Sequence, residues 1–411
     1  MKVLWTINIL PFKVQAHLHV PNANSSFGGG WLMAAAQSLI SRYNIELHIA
    51  CPSHTTTHNI TVNMGNITYH AFPSIEQTRD FARLQRDFNS IIAEVQPDLV
   101  DLHGTEYAHS LACLRAAKGI PSVVTLQGII SECAKHYYDA LSCTDILFHL
   151  RPFHRSIYRE ARLFQKGGVI EKSILQECFN IIGRTKWDKS YALHINPDAR
   201  YFHCNESLRD CFYNGQWEYE SCEAHSMFFT QAAYPLKGLH QLLKAMPSVI
   251  KRFPDSKLYI GGDNILEIWK KHRSNYNRII VSLIEELKLQ NYVIFTGPLN
   301  EQQMKDRFLK SNVFVSCSSI ENSPNSLSEA QMLGVPCIAS CVGGVPDMIP
   351  DKDCGTLYRF EDINYLSYLI GDCFENSPHF DNRHEREVAR QRHDRQKNAD
   401  DLINIYKQIL G

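Results

Sequence analysis

The stretch "SSIENSPNSLSEAQMLGVPCIASCVGGVP", residues 318–346, sets two acids eight positions apart, Glu321 and Glu329, around a Ser-Pro-Asn-Ser run. Before it, "NVFVSCS" (312–318) reads as a buried strand, and "PCIAS" (336–340) reads as the next one. Between them Ser323 suits an N-cap and Pro324 the first helical position, while Gly334 and Pro336 stop the helix. The amides of Asn325, Ser326 and Leu327 would then open on the positive end of a helix dipole, a place that favours phosphate. The acids allow two readings. Both could simply complement the dipole of a surface helix. Alternatively, Glu329 accepts from ribose hydroxyls, while Glu321 accepts from sugar hydroxyls and offsets positive charge at an anomeric carbon.

The strand–helix–strand pattern runs through both halves. "KVLWTI", "IELHIA", "PDLVDLH" and "PSVVTLQG" read as strands in the first half, with "GGGWLMAAAQSLISRY" and "DFARLQRDFNSIIAEV" as helices. The pattern restarts with "MFFTQ", "GLHQLLKAMPSVIKRF" and "SKLYIGG", then "YVIFTG" and "NEQQMKDRFLKS". Two doubly wound α/β domains follow from this alternation and from a length of 411 residues, beyond what one core usually serves. The irregular segment near 205–223 is the expected boundary. The expected division is 1–205, 224–380, and a terminal segment 381–411 that packs back on the first domain. In an open parallel sheet ligands sit beyond the carboxyl ends of the strands, and each motif below follows a predicted strand.

Composition narrows the function. Apolar residues make up 44% and charged residues 21%, as in an ordinary globular protein, and a net charge of −1 argues against a nucleic-acid binder that relies on basicity. No run is long enough to span a membrane. The thirteen cysteines are scattered without CxxC spacing, mostly in apolar runs, and read as reduced core thiols of a cytoplasmic protein.

Glu321, the run Asn322–Leu327, Glu329-Ala330, Gly334-Val-Pro336 and Gly343-Gly344 resemble, in order, the E-x7-E region of retaining GT-B glycosyltransferases, particularly family 4 (glycosyl transferases group 1). The resemblance implies two Rossmann-like domains facing a central cleft, a nucleotide-sugar donor held by the second domain, and retention at the anomeric centre. "TQAAYPLKG" resembles the family's R-x5-K-G phosphate clamp, with Lys237 and Gly238 in the last two places and Gln231 where arginine is usual. Lys237 would steady the departing diphosphate, and Arg184 or another basic group would have to replace the missing charge. Gly29 and Gly30 of "SSFGGGW" correspond to the loop that lets backbone approach the diphosphate. His103 corresponds to a strand-end histidine near the reacting centre. Gln127-Gly128 departs from the family's His-Gly, and with Arg184 it is assigned to the acceptor side. Gly261 and Gly262 would line the donor pocket, and Gly297, Pro298 and Leu299 would meet the nucleobase of a UDP- or GDP-linked donor.

The implied catalytic residues are Glu321, His103 and Lys237. No metal or resident cofactor is expected, because Lys237 and the helix terminus supply the charge. The one D-x-D, at Asp351 and Asp353, lies in a predicted loop. Arg151, Arg155, Arg159, Arg162 and Lys166 fall on one face of a helical stretch. They form either a solvated face or a basic surface for anionic lipid at the inner face of the membrane, or for a lipid-diphosphate-linked acceptor. A sugar-nucleotide epimerase or hydrolase and a non-catalytic nucleotide-sugar-binding protein stand as the alternatives to a hexosyltransferase of polysaccharide or glycoconjugate synthesis.

Overall fold

In the computed structural model, residues 1–18, 30–74, 80–150, 156–232, 234–268 and 274–411 are described. The chain forms two units. The first comprises residues 1–131, 164–208 and 393–411, and the second 132–163 and 209–392.

The first unit contains strands β1 (Lys2–Thr6), β2 (Glu46–Ser53), β3 (Ile60–Met64), β4 (Ile67–Pro73), β5 (Leu99–His103), β6 (Ser122–Thr125), β7 (Asn180–Gly183) and β8 (Arg200–His203). They lie in the order β3-β4-β2-β1-β5-β6-β7-β8. All neighbours run parallel except the hairpin β3–β4, which turns at Gly65 with φ +63°. Helices cover both faces, so β1 is buried on both. Val3 and Trp5 enter the core with Leu39 and Tyr406, whereas Leu4 enters the opposite one with Phe88 and Val100.

The second unit contains β9 (Glu223–Phe229), β10 (Lys257–Ile260), β11 (Val293–Phe295), β12 (Ser311–Ser316), β13 (Cys337–Ser340) and β14 (Thr356–Tyr358). These six run wholly parallel in the order β11-β10-β9-β12-β13-β14. Met227 and Phe229 pack on one side and Phe228 on the other.

The division of the chain differs from the contiguous one expected. Residues 132–163, inside the segment 1–205, belong to the second unit because its helices hold their backbone. Asn275 Nδ2 donates to His149 O at 2.5 Å, Lys244 Nζ to Ala140 O at 3.2 Å, and His240 Nε2 meets Asp139 O at 3.1 Å. The return to the first unit comes at His393 rather than at 381. There the helix Arg395–Leu410 inserts Tyr406, whose hydroxyl donates to Asp101 at 2.6 Å and accepts from Trp5 Nε1 at 2.9 Å.

Candidate functional site

From β9 the chain steps outward to β10 and β11, then returns to the other side of β9 for β12, β13 and β14. The crevice beyond β9 and β12 is therefore the topological switch point, where open α/β sheets take ligands. A pocket opens there, lined among others by Thr230, Gln231, Lys237, Ser318, Glu321 and Ser326.

Two glycines build this pocket. Gly238 has φ +74°, and a Cβ on it would lie 1.7 Å from the carbonyl oxygen of Cys317, so the turn carrying Lys237 lies directly against the end of β12. Gly343 has φ +51°, and a Cβ there would lie 2.0 Å from Glu321 O. The neighbouring Gly344 N–H donates to that same oxygen at 3.0 Å. Glu321 is thus fixed through its backbone, and its carboxylate is free to face the pocket. It pairs with the Lys237 ammonium and accepts from Ser318 Oγ at 2.9 Å. Burial works against the charge on Lys237, but the Glu321 carboxylate and Tyr234 outweigh it and hold the lysine's pKa above its ordinary value. Gln231 is exposed at the pocket wall and brings no charge.

The helix begins one residue later than expected. It spans Asn325–Leu333, and Pro324 is the cap, with extended backbone and no side-chain capping bond; Ser323 plays no such part. The Pro324 carbonyl takes the N–H groups of Leu327 (3.0 Å) and Ser328 (3.3 Å). Leu327 is fully buried, so its amide is not available to a phosphate as expected. Asn325 and Ser326, both half-buried, keep theirs at the open end. Gly334, with φ +77°, closes the helix.

Glu329 does not face open solvent. It is 5% exposed and takes a bidentate pair from Arg209, Nε to Oε1 and Nη2 to Oε2, both at 2.8 Å. Burial pushes Glu329 up to about 7, with Arg209 opposing it. Sequence reasoning missed Arg209, which lies in an irregular linker without any local pattern. Arg209→Met should destabilise the protein by roughly 3–5 kcal/mol at pH 8, since it leaves a buried carboxylate without its partner. A carboxyl whose pKa rises on folding costs nothing below its unfolded value near 4.5 and progressively more as pH climbs through the folded one. The loss should therefore be clearly smaller at pH 5, as urea unfolding at the two pH values would show.

At the strand ends beside β9, the loops after β10 and β11 join through Gly262 (φ +100°) and Gly297 (φ +75°), with Gly262 N–H donating to Gly297 O at 3.2 Å. Gly261 lies so close to Thr230 that a Cβ would come within 2.8 Å of its carbonyl oxygen. Pro298 is exposed, and Leu299 is half-buried against the core beside Phe308.

In the first unit the switch point lies between β1 and β5, and His103 ends β5 there. The ring is 6% exposed, 4.5 Å from Trp5, with Nε2 3.5 Å from the Asp101 carboxylate. Neither ring nitrogen has a hydrogen-bond partner among the described residues. Burial lowers its pKa, so the imidazole is neutral. Arg184 lines the same pocket as His103 and sits 5.9 Å from the Trp31 ring. Its charge is met by Glu206, and it donates to Leu126 O at 2.8 Å. Gln127 is half-buried, with an amide nitrogen that has no partner among the described residues. Gly30 opens the helix Gly30–Arg42; Gly29, Arg151 and Arg155 lie outside the described residues.

Glu106, three residues after His103, was also missed. Burial raises its pKa, and it accepts from Asn8 Nδ2 (3.1 Å) at the end of β1 and from Thr105 N (3.0 Å). The signal was present in "HGTEY", an acid just past a strand end.

Residues 223–393 match the family model described as Glycosyl transferases group 1. Among curated proteins, the chain is 28% identical over 182 residues to spore coat protein SA of Bacillus subtilis, covering 42% of this chain and 46% of that protein. It is 27% identical over 146 residues to a GDP-mannose-dependent alpha-(1-6)-phosphatidylinositol monomannoside mannosyltransferase of Mycolicibacterium smegmatis, covering 34% and 35%. The chain thus spans less than half the length of these relatives. Among solved structures, the sucrose-phosphate synthase of Thermosynechococcus elongatus aligns with a TM-score of 0.73 at 16% identity, over 100% of this chain and 99% of that one. Anabaena Alr3699/HepE, solved in complex with UDP, aligns with a TM-score of 0.67 at 14% identity, over 99% and 100%. The chain therefore has the GT-B fold of two parallel-sheet Rossmann-like domains, and residues 223–393, in its second half, are similar to the glycosyl transferases group 1 model.

Proposed function

We propose that the protein is a retaining, family 4 type hexosyltransferase. It moves a sugar from a UDP- or GDP-linked donor to a hydroxyl of a glycan or lipid-linked glycan, in surface polysaccharide or glycoconjugate synthesis. The observation that carries this is the gathering of Lys237, Glu321 and the open amides of Asn325 and Ser326 at one switch point.

In this reading the Lys237–Glu321 pair holds the pocket's charges in place before the donor arrives. An arriving diphosphate takes the lysine and the helix terminus, and the released carboxylate turns to the sugar. As the anomeric C–O bond to phosphate lengthens, Glu321 offsets the positive charge on the sugar, and Lys237 the negative charge on the leaving diphosphate. The incoming hydroxyl attacks from the face the phosphate leaves and gives its proton to a phosphate oxygen. No divalent cation or resident cofactor has a part in these steps. Glu329 accepts from the ribose with Arg209 beside it, and Gly262, Gly297, Pro298 and Leu299 surround the base. His103 serves as a neutral hydrogen-bonding group, and the first unit takes the acceptor, with Arg184 at its pocket and Gln127 in the loop after β6. Incubation with radiolabelled donor, with and without acceptor glycans, is the test. Label transferred only when acceptor is present supports the reading; conversion of donor alone to an epimer would replace it.

Peripheral attachment to the inner face of a membrane is part of the proposal. On the helix Ile157–Glu177, Arg159, Arg162 and Lys166 are exposed beside Leu163, 40% exposed, and Val169, 67% exposed. Basic groups flanking exposed aliphatic ones suit an anionic lipid surface. Liposomes containing acidic lipid should float the protein, and salt should release it. Flotation equal on neutral and acidic vesicles would remove the idea.

A further inference from the structure

One cluster of side chains has no part in the donor pocket. Asp351 and Cys354 stand on the connection from β13 to β14, and His384 is in the first turn of the helix Arg383–Arg392. Their donor atoms, a carboxylate oxygen, Sγ and a ring nitrogen, all lie within 4.8 Å of one another, and His384 Nε2 is 3.0 Å from Asp351 Oδ2.

The backbone prepares this arrangement. Asp351 Oδ1 accepts from the N–H groups of Asp353 (3.0 Å) and Cys354 (3.1 Å), which folds the loop so that Oδ2 and the thiol lie together. Gly355, at φ +133°, turns the chain away immediately afterwards, and a Cβ there would lie 3.2 Å from Cys337 O. Cys354 is fully buried, whereas Asp351 and His384 are open to solvent. A cation would thus reach the thiol from the solvent-exposed side of Asp351 and His384.

We propose that Asp351, Cys354 and His384 bind a zinc-class divalent cation that ties the 351–354 loop to the helix Arg383–Arg392. Thiolate, imidazole and carboxylate are the donors zinc takes, and bonds of about 2.0–2.3 Å in a tetrahedron separate its ligands by roughly 3.3–3.8 Å, within the reach of these atoms. Calcium and magnesium, which require oxygen ligands, do not suit a thiol and an imidazole. Binding replaces the thiol proton, which is released to solvent, with one sulfur–metal bond. The site lies outside the donor pocket and acts on stability, not on transfer.

Cobalt(II) is a suitable probe, added to the full, reduced, metal-stripped chain. One equivalent should produce thiolate-to-cobalt absorption in the near ultraviolet together with the visible bands of tetrahedral cobalt, and zinc should abolish both. Cys354→Ser should remove the near-ultraviolet band, and His384→Ala, at an exposed position, should weaken binding at least about tenfold. Zinc should raise the melting temperature of the parent protein and not that of His384→Ala. Absence of the thiolate band overturns the proposal, as does a band that persists unchanged in Cys354→Ser, because the metal would then sit on other cysteines.

Discussion

Glu321→Gln should lower sugar transfer by roughly 10²–10³-fold and leave the fold intact. The substitution keeps the side chain's shape and its hydrogen bond to Ser318 while removing the charge that faces the pocket. Nothing in the core depends on that carboxylate, since the glutamate is held by its backbone, through Gly343 and Gly344. Its pair with Lys237 is largely buried, with only 22% and 16% of the two side chains open, so loss of the carboxylate charge should cost roughly 1–3 kcal/mol and lower the melting temperature without unfolding the protein. The KM for donor should change far less than kcat, because the charge matters when the anomeric carbon becomes positive. Near-normal turnover in this variant, with the protein still folded, would remove Glu321 from the chemistry.

Gly238→Ala should lower stability by about 3–5 kcal/mol, a loss comparable with that of Arg209→Met, and should abolish nucleotide binding. A methyl group 1.7 Å from Cys317 O cannot be accommodated without parting the Lys237 turn from the end of β12. The positive φ adds about 1–2 kcal/mol of its own. Gly262→Ala separates the two causes: its φ is +100°, yet no atom lies within 4 Å of the added carbon, so only the backbone cost applies. Urea unfolding of the two variants side by side measures the difference. Equal losses would mean that contact between the turn and β12 is not what requires glycine at 238.

Much of this molecule could be read in the sequence because parallel sheets write themselves plainly. Strands such as "NVFVSCS" are buried on both faces and appear as unbroken apolar runs, and the glycines that admit close backbone contact stand beside them. Helix Leu239–Arg252 was legible despite Pro247 inside it, because its buried face of Leu239, Leu242, Leu243, Met246 and Val249 outweighs the missing N–H. The β3–β4 hairpin went unread although Gly65-Asn66 between two alternating runs is a turn signal. Other features leave no local trace. Nothing near residue 209 announces that a linker arginine reaches a helix more than a hundred positions away. The attachment of 132–163 to the second unit depends on side chains of helices far along the chain, His240, Lys244 and Asn275. The helix start was misplaced by one residue because Ser323 and Pro324 fit a side-chain cap by composition, while the Pro324 carbonyl performs that task.

The switch point of the second sheet is expected to grip a nucleoside diphosphate, which a crystal structure with UDP or GDP soaked in would reveal. The diphosphate is expected within hydrogen-bonding distance of the Asn325 and Ser326 amides and of the Lys237 ammonium, with Glu321 swung off the lysine. A nucleotide seated elsewhere, or a diphosphate that leaves the Lys237–Glu321 pair closed, would contradict it.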